Sequence, residues 1–292
     1  MNRFTVALLT LPLSALAQAS SAPVQEDFAP LLAEKAQAAK QLTVAELFRE
    51  ARQVGLILGD EGGAAFDREV DRLLQVEGND PRTTLFLVAT RLTGDEPDLE
   101  ILGASLAQVL QASDPQASQA AAELAAGAGF DRGPLETRRT FTEALIAVAT
   151  DGDRAPDTRV SAAVAAHGIG LGDQIARPRR VLFEFLESSD LDMVGRGALG
   201  LAELGAMEEV QGVVPALERL SAQPGQQGLL ARSYLKQLQI RRFKDTELRR
   251  ARERQSELLL QGDQTDPDLQ RIGNLIELVR RYHLEGDTVE RE

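Results

Sequence analysis

The chain has 292 residues, and 45 acidic side chains against 32 basic ones give it a formal net charge of −13. This charge disfavours a nucleic-acid partner, because the phosphate backbone would be repelled over most of the surface. The absence of cysteine excludes disulfides, iron–sulfur clusters and cysteine nucleophiles, and two histidines are too few for a multi-histidine metal site.

The first 22 residues have the pattern of a secretory signal peptide. Arg3 supplies positive charge, residues 4–17 are uncharged and mostly apolar, and Ala15-Leu16-Ala17 is a small-x-small cleavage site, with Ser20-Ser21-Ala22 as a second one. The apolar run is short for a bilayer span. The alternatives to a signal peptide are an uncleaved membrane anchor and a first core helix. Only four of the basic residues are lysine, a skew that fits a GC-rich bacterial genome. We therefore expect an exported bacterial protein, periplasmic or extracellular, with no membrane span in its mature part.

Residues 23–243 are predicted to form helices, because apolar positions recur at spacings of three and four. The clearest stripes are Leu99/Leu102/Leu106/Val109/Leu110, Leu191/Val194/Ala198/Leu201/Ala202/Leu204 and Leu229/Leu230/Tyr234/Leu235/Leu238. No stretch alternates in the manner of a strand, so no sheet is expected. Breaks rich in Gly, Pro and Asp are predicted at 59–63, 78–81, 94–97, 113–115, 133–134, 151–157, 188–190 and 223–225.

The helical segments repeat along the chain. Comparable segments open at Asp80, Asp114, Asp157, Asp192 and Gly225, at separations of 34, 43, 35 and 33 residues. A period of this size with two helices in each unit indicates an α-solenoid, in which each helix pair packs only on its neighbours. The predicted fold class is therefore all-α.

Two of these units resemble HEAT repeats of the short, alanine-rich type found in phycobilisome-lyase-like proteins. One unit runs from Asp157-Thr158-Arg159-Val160 to Leu171-Gly172-Asp173, and the other from Val194 through Leu204-Gly205 to Val214-Pro215-Ala216-Leu217 and Leu220. The resemblance is good over 155–222 and fair over 80–150, and it departs from the pattern at His167-Gly168, where Ala-Leu is usual. It implies a helical-repeat domain over 23–243 that binds a protein or peptide on a concave face.

After Arg241 the sequence becomes strongly charged. Residues 244–266 are predicted as a connecting or capping helix followed by a turn, with a coiled-coil arm as an alternative. Arginines at 241–242, 249–250, 252 and 254 offer a patch for an acidic partner or anionic lipid, but Glu247, Glu253 and Glu257 favour pairing between residues four apart along a solvated helix. Arg177, Arg179 and Arg180 form a second basic patch.

Residues 267–292 contain a last amphipathic helix, with Ile272, Leu275, Ile276 and Val279 on one face. The run from Ile272 to His283, followed by Gly286-Asp287, loosely resembles the opening helix of the carboxy-terminal-processing serine peptidases. In that family a PDZ module and a Ser–Lys core follow, and neither is present here. The resemblance implies the alternative function: the amino-terminal docking or regulatory part of a secreted peptidase, in a reading frame that continues beyond Glu292.

A search for chemistry finds no catalytic, cofactor-binding or metal-binding residues. His167 lies on an apolar helix and His283 in a charged tail, so neither fits a Ser-His-Asp triad, and four lysines leave little room for a Ser–Lys dyad. Asp151-Gly152-Asp153 lacks the later ligands of a calcium loop and is interpreted as a turn, with Asp157 capping the next helix; the acidic run at 263–268 is interpreted in the same way. Neither Gly62-Gly63 nor the glycines at 168–172 form a phosphate loop. The sequence thus predicts a non-catalytic scaffold.

Overall fold

The computed structural model describes residues 28–94, 96–260, 269–274 and 276–277. Across these ranges every regular element is a helix and no strand is present, as predicted. The helices are α1 (Phe28–Ala38), α2 (Val44–Leu74), α3 (Pro81–Arg91), α4 (Leu99–Leu110), α5 (Pro115–Gly127), α6 (Leu135–Thr150), α7 (Pro156–Ile169), α8 (Ala176–Leu186), α9 (Leu191–Glu203), α10 (Val213–Ser221) and α11 (Gln226–Leu260). Short 3-10 turns lie at Ala39–Gln41, Phe130–Arg132 and Gly172–Ile175.

Aspartates cap the starts of four of these helices, at Asp80, Asp98, Asp114 and Asp190. The Asp80 and Asp114 carboxylates accept hydrogen bonds from the backbone N–H of Arg82 (3.0 Å) and Gln116 (3.0 Å), and a proline occupies the first turn in both cases. Both starts were predicted, because a carboxylate satisfies backbone N–H groups that have no partner inside the helix. The α9 cap is Asp190, so the predicted opening at Asp192 is two residues late.

The start of α7 differs from the prediction. The helix begins at Pro156, and no side chain caps it. Asp157 lies in the first turn and forms an ion pair with Arg196 of α9, so the predicted capping role of Asp157 is wrong. Because Asp157 lies one residue inside α7, its carboxylate faces α9 and not the backbone N–H groups at the start of α7.

The predicted break at 59–63 corresponds to a kink at Gly63, where two helical segments of α2 meet. α2 continues through residue 62, and its backbone departs from helical geometry at Gly63, whose φ is +50°. Glycine adopts this left-handed conformation without a steric penalty. At the other end of α2, Thr43 and Glu46 form a capping box, in which each side chain binds the backbone N–H of the other.

The helices group into two compact units that divide at Leu204 and Gly205. In the amino-terminal unit, described over 28–94 and 96–204, α3, α5, α7 and α9 each pack on the next member of that series, as do α2, α4, α6 and α8. Each odd-numbered helix also packs on the even-numbered helix that precedes it. The helix pairs are therefore α2–α3, α4–α5, α6–α7 and α8–α9.

Two odd-numbered helices, α3 and α7, are the most enclosed helices of this unit. α3 and α7, both described along their whole length, contain no exposed residue, whereas α4, α6 and α8 each present an exposed face. Small residues allow close approach: a Cβ placed on Gly197 of α9 would lie 2.8 Å from the carbonyl oxygen of Leu182 and 2.6 Å from the backbone nitrogen of Leu186. The core is accordingly built from alanine and aliphatic residues, with Phe66, Phe86 and Phe130 as its largest fully buried side chains.

The carboxy-terminal unit contains α10 packed on α11. α11 runs without a break from Gln226 to Leu260, so the predicted boundary between 243 and 244 falls inside a helix. Ion pairs between residues three apart, Arg250–Glu247 (2.8 Å) and Arg254–Glu257 (3.0 Å), support its charged half. Residues 269–274 and 276–277 are also helical.

Two predicted stripe positions are wrong. Leu191 is 68% exposed and Leu229 is 61% exposed, while Ala198, Leu201, Tyr234 and Leu238 are buried. Leu191 is the first residue of its helix, where the neighbouring helix gives little cover. Leu229 lies nine residues before the buried Leu238. At 3.6 residues per turn, nine residues are about two and a half turns, so the two side chains lie on opposite sides of the helix.

Candidate binding surface

The starts of consecutive odd-numbered helices are linked to one another. Arg82 Nε of α3 donates to Asp114 Oδ2 at the start of α5 (3.0 Å). Thr158 Oγ1 of α7 donates to the carbonyl oxygen of Pro115 of α5 (3.3 Å), and Asp157 of α7 pairs with Arg196 of α9. Polar contacts near the amino-terminal ends of α3, α5, α7 and α9 thus hold each of these helices beside the next.

Arginines also bind the carboxyl-terminal ends of helices in the same unit. Arg138 of α6 donates to the carbonyl oxygen of Ile169, the last residue of α7 (2.9 Å). Arg154 donates to the carbonyl oxygen of Ala112, just after α4 (2.7 Å). Helix ends expose carbonyl groups without an internal partner and carry partial negative charge, so a guanidinium group is a suitable ligand for them.

Several positions of α5, α7 and α9 are accessible to solvent. We call five of them the odd-helix strip; they are the half-buried or exposed residues Gln119 and Glu123 of α5, Ser161 and Gly168 of α7, and Glu203 of α9. Gln119 Nε2 donates to Glu123 Oε1 (2.8 Å).

Glu203 and Glu123 come from different helices and interact electrostatically. Burial and, as the smaller cause, the negative charge of Glu123 together raise the pKa of Glu203 to about 7. Both effects disfavour the ionised carboxylate. The odd-helix strip therefore contains one exposed carboxylate and one half-buried carboxyl group that titrates near neutral pH.

His167 is half-buried on α7, as predicted for a helix-packing residue. Burial lowers its pKa, and the positive charge of Arg179 on α8 lowers the pKa further. A neutral imidazole is therefore favoured near pH 7. Its described surroundings contain no ion pair or hydrogen bond that would assign it a catalytic role.

The acidic turn at 151–153 binds its own chain. The Asp151 carboxylate accepts from the backbone N–H of Asp153 (3.0 Å) and from Arg154 Nε (3.3 Å). Within the described ranges, no three Asp, Glu or His side chains come close enough together to hold a metal ion. The turn interpretation of 151–157 is therefore confirmed, except for the role of Asp157.

The basic patches are partly neutralised by acidic neighbours. On α8, Arg177 pairs with Glu143 (3.2 Å) and Arg180 with Glu184 (3.4 Å). On α11, Arg250 and Arg254 pair with glutamates three residues away, not four as predicted, and Arg242 pairs with Glu208 (2.8 Å). Pairing along a solvated helix is thus confirmed, with a different spacing.

Sequence reasoning missed two groups with unusual environments, Arg91 and Glu203. Each is buried or half-buried by residues distant in sequence, and neither belongs to a motif. The signal peptide, the acidic run at 263–268 and most of the tail that resembles a peptidase helix lie outside the described residues. No described helix is both long enough and apolar enough to cross a membrane.

No family model matches the chain, and neither a curated protein nor a solved structure is similar to it.

Proposed function

We propose that the chain is an exported, non-catalytic scaffold of the HEAT-like type, whose stacked helix pairs form an α-solenoid that binds a protein or peptide on its concave face. The observation that carries this proposal is the recurrence of links near the starts of the odd-numbered helices. The three links join α3 to α5, α5 to α7 and α7 to α9. A repeated contact of this kind is expected when successive units stack with a similar rotation and translation.

The series of odd-numbered helices is the proposed inner face. Two of its members, α3 and α7, contain no exposed residue, which is expected where helices crowd together on the inside of a curved array. The odd-helix strip offers two positions on α5, two on α7 and one on α9. A surface this narrow suits an extended peptide segment better than the flat face of a folded domain.

The charge of the odd-helix strip suggests the chemistry of its ligand. Glu123 is exposed, and Gln119 and Ser161 provide hydrogen-bonding groups. An extended segment with a basic side chain opposite Glu123 would satisfy these groups. The strip contains no nucleophile held by a base, so binding without catalysis is the simplest use for it.

A photo-crosslinking experiment tests the proposed face. A photoreactive amino acid replaces either Gln119 on α5 or, as a matched control, the exposed Gln108 on α4. The full chain is expressed with its own amino terminus in a Gram-negative host. We expect a discrete adduct from position 119 and none from position 108.

A charge reversal then tests whether the adduct reflects specific binding. Glu123→Lys should abolish the adduct formed from position 119, whereas Glu100→Lys on the exposed face of α4 should leave it unchanged. Equal adducts from positions 119 and 108, or no adduct from position 119, would contradict the proposed face. Amino-terminal sequencing of the periplasmic product tests export: a chain that retains Met1 in the cytoplasm would contradict it.

A further inference from the structure

The first half of α11 carries an exposed apolar stripe, formed by Leu229, Ile240 and Phe243. Their exposed fractions are 61%, 45% and 67%. At 3.6 residues per turn, their spacings of eleven and three residues place them within about 60° of one another around the helix. We call these three residues the apolar stripe of α11.

The apolar stripe lies opposite the face that α11 buries. Ala231, Tyr234 and Leu238 are buried, and α10 is the helix that packs on α11. The stripe is therefore not needed to hold α10 in place. An exposed phenylalanine beside an exposed isoleucine has an energetic cost in water that a binding partner would relieve.

Further along α11 the same side of the helix is covered. Ala251 and Leu258 are buried, and their positions around the helix fall within about 80° of the apolar stripe at 3.6 residues per turn. Ile276, in the same unit, is buried as well. This side of α11 thus buries Ala251 and Leu258 in its second half, whereas its apolar residues in the first half are exposed.

The charged residues of α11 before Asp245 are all basic. Residues 226–244 contain five basic residues and no acidic one, in a chain whose net charge is −13. One of the five, Arg242, pairs with Glu208 (2.8 Å). Arg232, which donates to the carbonyl oxygen of Ser221, and Lys236 lie on the same side as the stripe. A second copy of the same stripe would bring basic groups against basic groups, so self-association through this surface is disfavoured.

We propose that the apolar stripe of α11 docks an amphipathic helix of another protein, with acidic residues flanking the apolar positions of that helix. Ile240 and Phe243 are the anchors, since large apolar side chains at the centre of a contact carry most of the binding energy. Arg232 and Lys236 orient the partner by pairing with its acidic flanks. The stripe spans fifteen residues, a rise of about 21 Å along the helix, so the partner helix needs about four turns. This surface belongs to the carboxy-terminal unit and does not depend on the concave face proposed above.

A selection experiment identifies the preferred partner chemistry. A library of helix-forming peptides, with randomised positions on one face, is selected for binding to the full chain. It is counter-selected against the double variant Ile240→Asp/Phe243→Asp. We expect the enriched peptides to carry apolar residues at three- and four-residue spacing with Asp or Glu beside them. The proposal would be overturned if the enriched peptides are basic. It would also be overturned if no enriched peptide binds the wild-type chain more tightly than the double variant.

Binding measurements with one enriched peptide then test the residues. The double variant should weaken binding at least a hundredfold and Lys236→Glu about tenfold, with the second loss shrinking as salt is raised. Leu135→Asp, which alters a 55% exposed leucine on α6, is the matched control and should leave the affinity unchanged. Circular dichroism confirms that each variant is folded.

Two further measurements examine other occupants of the stripe. Sedimentation equilibrium tests a second copy, and flotation with vesicles of three parts phosphatidylcholine to one part phosphatidylglycerol tests a membrane surface. We expect a monomer and no flotation. If the wild-type chain dimerises and the double variant does not, the stripe binds a second copy and the proposal is overturned. If the wild-type chain floats with the vesicles and the double variant does not, the stripe binds a membrane surface and the proposal is likewise overturned.

Discussion

Arg91 of α3 and Asp71 of α2 form an ion pair across the interface between these helices, with 3.2 Å between Nε and Oδ1. The Arg91 side chain is 6% exposed and also lies 3.4 Å from Asp67. It donates to the carbonyl oxygen of Glu96 as well (3.2 Å). Burial raises the pKa of Asp71, while the positive charge of Arg91 acts in the opposite direction. Arg91 therefore compensates the negative charge of Asp71 at this interface and also lies beside Asp67.

Replacing Arg91 is expected to destabilise the amino-terminal unit strongly. Arg91→Met would leave Asp67 and Asp71 as uncompensated negative charges, which costs about 3 kcal/mol of unfolding free energy at pH 7. Urea denaturation followed by circular dichroism measures the change. As a control, Arg180→Met removes an exposed ion pair with Glu184 and should cost less than about 0.5 kcal/mol.

The loss of unfolding free energy caused by Arg91→Met, which we call the Arg91→Met deficit, should depend on pH. Without Arg91, the folded-state pKa of Asp71 rises further, and a carboxyl group with a raised pKa loses its stabilising contribution as the pH rises. The deficit should therefore be largest at pH 7 and shrink as the pH falls towards 4. A deficit that is constant over this range would show that lost packing, not charge, causes it.

Glu203 should make the amino-terminal unit less stable at alkaline pH. Its folded-state pKa is raised to about 7. The contribution of Glu203 to the unfolding free energy is therefore fully present below the pKa that this residue has in the unfolded chain, and it is lost as the pH rises through about 7. Glu203→Gln removes this dependence and should raise the unfolding free energy by about 1–2 kcal/mol at pH 8, with little change at pH 4.5.

Thermal unfolding at pH 4.5, 6, 7 and 8 measures this difference. Glu136→Gln, at an exposed position on α6, serves as the control and should leave the pH dependence unchanged. If Glu203→Gln shifts the unfolding temperature equally at every pH, the raised pKa of Glu203 is contradicted.

Gly197 is needed for the close approach of α8 and α9. A Cβ at this position would lie 2.8 Å or less from two backbone atoms of α8, which have no freedom to move aside. Gly197→Ala should therefore destabilise by about 1–3 kcal/mol, although alanine favours a helix more than glycine does. Denaturant unfolding measures the change.

Gly127, the last residue of α5, is the matched control for Gly197. A Cβ there would meet no atom within 4 Å, and its φ is not positive. Gly127→Ala should be neutral or stabilise by up to about 1 kcal/mol, because the unfolded chain loses conformational freedom. Destabilisation by both substitutions to the same extent would show that helix packing is not the cause.

Thr142 of α6 contains a buried hydroxyl group for which no described group is within hydrogen-bonding distance. Thr142→Val replaces this group with a methyl group of similar size and should stabilise by about 1 kcal/mol. Thr83 is a suitable contrast, since its buried hydroxyl donates to the carbonyl oxygen of Ala36 (3.0 Å). Thr83→Val should destabilise by about 1 kcal/mol or more, and equal effects of the two substitutions would contradict this assignment.

Helix type and most helix limits were predictable from the sequence. Asp80-Pro81 and Asp114-Pro115 specify helix starts through local hydrogen bonds, and the three- and four-residue spacing of apolar positions specifies which faces are buried. These signals act within a few residues along the chain, so no knowledge of the tertiary structure is required. The same reasoning failed for Leu229, because a short apolar run on a helix contains residues on opposite faces.

The tertiary structure alone decided which charged groups interact. Arg91 meets Asp71 only because α3 packs on α2, and Glu203 approaches Glu123 only because α9 and α5 belong to the same packed unit. It also decided that Asp157 pairs with Arg196 and that α2 is kinked at Gly63. Burial and long-range charge depend on the positions of residues far apart in the chain, and a local pattern contains no information about those positions.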